Sequence, residues 1–70
     1  MKISLASARV NAGLTQIKAA EAVGVAPVTL AGWEMGKRNI PANKLISLCG
    51  LYEIDVNNIR LDTRRGQNDG

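Results

Sequence analysis

Three glycines at near-regular intervals, Gly13, Gly24 and Gly36, cut the first half of the chain into stretches the length of short helices. Glycine enters the left-handed region at no steric cost and is the usual residue just past a helix end. A chain cut this way builds no long helix. No stretch alternates apolar and polar residues for long enough to compete as a strand. The expected fold is therefore all-α, a compact bundle of about five short helices.

The first helix is expected over residues 4–12, where Leu5, Ala8, Arg9 and Ala12 fall on one side at steps of three and four. Thr15 has the side-chain oxygen to cap a second helix over residues 16–23, which Gly24 stops. Pro27 suits the first turn of a third helix running to Met35, although Ala26 before it has no capping oxygen. After the loop of Lys37, Arg38, Asn39, Ile40 and Pro41, a fourth helix over about residues 42–51 sets Leu45, Leu48, Cys49 and Tyr52 at core spacing. Asp55 would cap a last short helix, about residues 56–59. From residue 60 the chain turns polar and rich in Arg, Asp, Asn and Gly. This divides it into a folded domain over 1–59 and a disordered tail over 60–70.

Composition narrows the function. Seventy residues hold one small core, since a chain near this size buries only about 60% of the surface its unfolded form exposes. Trp33 and Tyr52 are the only aromatic residues, so Leu, Ile, Val and Ala must fill that core. Cys49 is the single cysteine, which rules out an internal disulfide and favours a reducing, cytoplasmic setting; its apolar neighbours mark it as a core thiol. With no histidine beside that one cysteine, the common zinc sites and nucleophile–base pairs are missing, so no metal, cofactor, small-molecule substrate or enzymatic activity is expected. The first residues are too short and interrupted for a signal peptide, and no apolar stretch approaches a membrane span. A formal charge of +3 helps approach to a polyanion without identifying one.

Residues 16–35 are the most specific part of the chain. Two short helices meeting at a tight turn need a small residue where they cross, here Ala20, and a residue tolerant of positive φ in the turn, here Gly24. Ala19, Val23, Val25, Leu30 and Trp33 supply apolar contacts to clamp them at a fixed angle. The pattern of Arg9, then Gly13-Leu14-Thr15-Gln16, Ala20, Val23-Gly24-Val25, Leu30, Trp33-Glu34-Met35-Gly36-Lys37-Arg38 and Pro41 resembles the lambda-repressor and Cro (XRE) helix-turn-helix family. The likeness spans about residues 4–59.

The resemblance implies a domain that lays its third helix in the DNA major groove, with Pro27, Val28, Thr29 and Gly32 facing base edges. Periodicity agrees, because Leu30 and Trp33 pointing inward leave Val28, Thr29 and Gly32 outward. These positions often carry Gln, Asn, Arg or Ser in the family. Here they offer one hydroxyl, so direct readout is thin and DNA shape must carry more of the specificity. The start of the second helix with Gln16, the loop residues Lys37 and Arg38, and Asn43 and Lys44 at the start of the fourth helix are expected to hold phosphates. Arg9 and Glu34 are expected to form a partly buried ion pair.

The function implied is a phage- or bacterial-type repressor or Cro-like regulator bound to a double-stranded DNA operator as a homodimer. Ile54, Val56, Ile59 and Leu61 are candidates for the dimer surface, with core filling as the competing use. The alternative is a protein-interaction module such as the antitoxin of a toxin–antitoxin pair, for which the short tail would be the only segment left to cover a toxin.

Overall fold

A computed structural model describes residues 2–61 of the chain, and the disordered tail expected from the sequence lies, from residue 62 on, outside the described residues. Strand β1 (Ile3–Ser4) leads into helices α1 (Leu5–Asn11), α2 (Gln16–Val23), α3 (Pro27–Glu34) and α4 (Ala42–Tyr52). A 3₁₀ turn (Val56–Asn58) and strand β2 (Ile59–Arg60) follow. The fifth helix of the sequence reading is thus one 3₁₀ turn, begun by the Asp55 carboxylate accepting from the Asn57 N–H at 2.8 Å.

The two strands, which the sequence reading did not foresee, pair in parallel with Ile3 opposite Ile59 and Ser4 opposite Arg60. Two residues are too few to show alternation, and the pairing joins distant parts of the chain. It draws Arg60, read as the first residue of the tail, into the ordered fold.

Helix boundaries follow local chemistry. Ser4 caps α1 by accepting from the Ser7 N–H at 3.1 Å, and Thr15 caps α2 by accepting from Lys18 at the same distance. All four helices close with the same long-reach bond from the residue beyond the turn: Leu14 N–H to Arg9, Val25 N–H to Ala20, Lys37 N–H to Gly32, and Ile54 N–H to Cys49. Gly13 and Gly24 supply the required left-handed residue after α1 and α2, at φ of 78° and 76°. After α4 that residue is Glu53, at φ 58°, where glycine would be the usual choice.

The core draws Leu5 and Ala8 from α1, Ala19 and Ala20 from α2, Leu30 and Trp33 from α3, Leu48, Cys49 and Tyr52 from α4, and Ile59 from β2. Helix α2 packs on both α3 and α4, and its Ala19 and Ala20 are wholly enclosed. A longer side chain at either position would force the helices apart. Burial pushes the Cys49 thiol above its ordinary range, with Asp55 adding to the effect. It is a packing group with little thiolate character. Among the described residues no helix is long and apolar enough to cross a membrane.

Candidate functional site

The α2–α3 pair is held at its outer end by a cluster of polar groups. Arg9 Nε donates to Glu34 Oε2 at 2.7 Å and Arg9 Nη2 to Glu34 Oε1 at 3.3 Å, a two-point clasp between α1 and the end of α3. Arg9 Nη1 reaches the Leu14 carbonyl at 2.8 Å, tying the α1–α2 turn into the same cluster. Gln16 Nε2 adds a further bond to Glu34 Oε1 at 2.8 Å. The Arg9 and Glu34 side chains are 14% and 5% exposed, so each depends on the other for its compensating charge. Tyr52 lies against this cluster with its hydroxyl buried and without a hydrogen-bond partner among the described residues. Burial first, and Glu34 second, push its phenol up to about 12, partly offset by Arg9.

This cluster fixes how α3 presents its other face. Leu30 is fully buried and Trp33 nearly so. The helical repeat then turns Pro27 and Val28 to solvent, with Thr29 and Gly32 half-buried beside them. Val28 is 69% exposed, more than any other large apolar side chain among the described residues. Ala26 gives α3 no side-chain cap. The Val28 N–H accordingly finds no acceptor among the described residues and faces outward at the positive end of the helix dipole. The N–H groups of Gln16 and Ile17 at the start of α2 are likewise unbonded.

The residues expected to hold phosphates are placed unequally. Lys37 and Asn43 are exposed, at the turn after α3 and in the first turn of α4. Gln16 spends one amide hydrogen on Glu34 and keeps the other. Lys44 is half-buried and its Nζ donates to the Val23 carbonyl at 2.9 Å. That bond caps the C-terminal end of α2 at the turn leading to α3. Arg38 is exposed but does not extend freely, since its stem lies across Gly32 on the outer face of α3. Of the four residues named for a dimer surface, Ile59 is buried and Ile54 packs against the core, whereas Val56 and Leu61 stay exposed at 40% and 36%.

The sequence reading named none of the bonds from Gln16 to Glu34 or from Lys44 to Val23, nor the seating of Arg38 on Gly32. The third had a readable signal, because a glycine in the middle of a helix facing a long basic residue just beyond the next turn makes room for that residue. The other two depend on how separate helices cross, which no local pattern encodes. Among the described residues no cluster of His, Cys, Asp and Glu has the makings of a metal site.

A family model described as helix-turn-helix matches residues 5–58, from the start of α1 through the 3₁₀ turn. Comparison with curated proteins and with solved structures gave no match.

Proposed function

Because the chain belongs to the lambda-repressor-like (XRE) helix-turn-helix family of DNA-binding regulators, we propose that it is a sequence-specific transcriptional regulator of the phage or bacterial repressor and Cro type. It acts by occupying a double-stranded DNA operator in the cytoplasm as a homodimer, without cofactor or chemical step. The observation that carries this reading is the outer face of α3. Its own side chains are uncharged and Val28 stands in the open, while the partly buried Arg9–Glu34 clasp ties the end of the helix to α1. A face that is solvent-exposed, apolar and tied in this way suits insertion into a groove.

In this reading Val28 meets a thymine methyl, Thr29 meets a base edge or methyl, and Pro27 allows close approach, while Gly32 is covered by the Arg38 stem. Lys37, Asn43, the remaining Gln16 amide hydrogen and the free N–H groups at the start of α2 hold phosphates on either side. Lys44 is given to the α2 cap in place of a phosphate.

Selection of bound duplexes from a random pool, followed by affinity measurement on the enriched site and on random DNA, tests the proposal. Enrichment of a defined sequence, bound at least about a thousandfold more tightly than random DNA, is the expected outcome. No enrichment, with equal and weak binding to every duplex, would overturn it in favour of a protein-binding role for the α3 face.

A further inference from the structure

We propose that Arg38 reads a base, supplying from the loop the guanidinium that α3 itself lacks; the proposal rests on the DNA-binding reading above. Position 32 lies three residues beyond Thr29 and four beyond Val28, on the same outward face of the helix. Gly32 has no side chain there, and the space is filled from outside. A Cβ built on Gly32 would stand 3.0 Å from Arg38 Cδ, 3.2 Å from Cγ and 3.4 Å from Nε. The Arg38 stem is thus packed directly on the helix backbone, in the place a residue-32 side chain would occupy.

The root of that side chain is pinned as well. Gly36, at φ 77°, turns the chain back after α3, and the Lys37 and Arg38 N–H groups both donate to the Gly32 carbonyl, at 2.9 and 3.3 Å. Among the described residues no carboxylate pairs with Arg38, so its charge is not already committed. A guanidinium whose stem is seated at Gly32, one turn along the outward face from Val28 and Thr29, offers two parallel N–H donors in a planar fork. The matching acceptor pair in the major groove is O6 and N7 of guanine. Lys37, exposed and without such a seat, is left as the phosphate contact of the loop. The glycine thereby acquires a purpose that a helix interior would otherwise argue against.

The test repeats the duplex selection with Arg38→Lys and with Gly32→Gln. Lysine keeps the charge and loses the fork; glutamine occupies the seat. The wild-type chain is expected to select a G·C pair at one position of its site. Arg38→Lys should weaken binding to that site about tenfold and reduce, without reversing, the guanine preference at that position alone, because an ammonium reaches O6 and N7 without the planar fork. Its affinity for random DNA and its salt dependence should stay as in the wild type. Gly32→Gln, with helicity retained by circular dichroism, should lose the same guanine preference. An Arg38→Lys chain that still selects guanine there as strongly as the wild type would overturn the assignment and return Arg38 to the phosphates. A wild-type chain that enriches no sequence would overturn the DNA-binding reading itself, and this inference with it.

Discussion

The exposure of single side chains separates those that hold α3 from those that meet its partner. Glu34 is the most committed, nearly enclosed and receiving donors from Arg9 and Gln16. Breaking one member of a partly buried pair strands the other charge, at a cost bounded above by the roughly 3 to 5 kcal/mol of a fully buried pair and still a large share of what a small domain has. Arg9→Met is therefore expected to lower the melting temperature sharply and to lose DNA binding in parallel. Unchanged melting would show the clasp to be dispensable. Tyr52, the only tyrosine, reports on the same cluster. Its phenol is raised from 10.0 to about 12 by burial and by Glu34. The unfolded chain therefore gives up this proton first, and the stability contributed by the buried neutral phenol is whole below pH 10.0 and drains away as pH climbs toward 12. Phenolate absorbance of the folded protein should stay flat through pH 10.0, and a midpoint there in protein still folded by Trp33 fluorescence would show the ring to be exposed. The outward residues predict a different kind of failure. Lys37→Ala should weaken binding to matched and random DNA alike and reduce the slope of log affinity against log salt by about one. Val28→Ala or Thr29→Val should leave that slope intact and cost about 1 to 3 kcal/mol on the matched site only. A Val28 or Thr29 substitution without effect on either DNA would remove base reading from α3.

At the scale of elements, α3 and α4 both begin without a side-chain cap, behind Ala26 and Pro41, and the start of α3 is the one that can be repaired by a single oxygen. Ala26 has the extended backbone of a capping residue, at φ −73° and ψ 146°, but no oxygen to offer. Ala26→Ser places an acceptor beside the Val28 N–H and is expected to stabilise the fold by about 1 kcal/mol, read from the chemical denaturation midpoint. A loss of stability would mean that the serine cannot reach that N–H. Much of this level was legible in advance, because capping and stopping are local. Thr15 and Gly24 bracket α2, and the sequence reading of residues 16–23 coincides with the helix observed. Elsewhere the ends moved by a residue: α3 stops at Glu34 and α4 runs on to Tyr52. Helix α4 runs on because Glu53 accepts the left-handed turn without being a glycine, the signal a sequence reader looks for. The β1–β2 ladder was illegible because each strand makes sense only beside the other. Likewise Ile59 read equally well as core or as interface until the ladder placed it inside. The candidate site divides the same way. Its outward face follows from helical periodicity, whereas the bonds that Gln16 and Lys44 make arise from the packing of one helix on another.

At the scale of the whole molecule, the proposed reading gives one copy few groups with which to discriminate between sites. In that reading one copy offers Val28, Thr29 and Arg38 to the bases, and each well-formed base contact is worth only about 1 to 3 kcal/mol against the wrong pair. Doubling those contacts through a two-fold axis raises discrimination without any new residue, provided that two recognition helices fall one helical turn apart, about 34 Å along the duplex. The described part of the protein extends 34 × 27 × 19 Å, a size comparable to that spacing. Of the four residues named for a dimer surface, Val56 and Leu61 stay exposed next to the β ladder and would make the contact between the two copies. The footprint on the selected operator is therefore expected to be two-fold symmetric, with half-site centres about 10 bp apart. Val56→Asp should convert binding of two copies into independent, weaker binding of one, because a charge in an apolar contact resists desolvation. Since Val56 is already partly exposed in the monomer, the variant should keep its melting temperature. A single unsymmetric footprint shorter than one turn would rule out the paired arrangement. An intact two-fold footprint with Val56→Asp would place the contact on another surface.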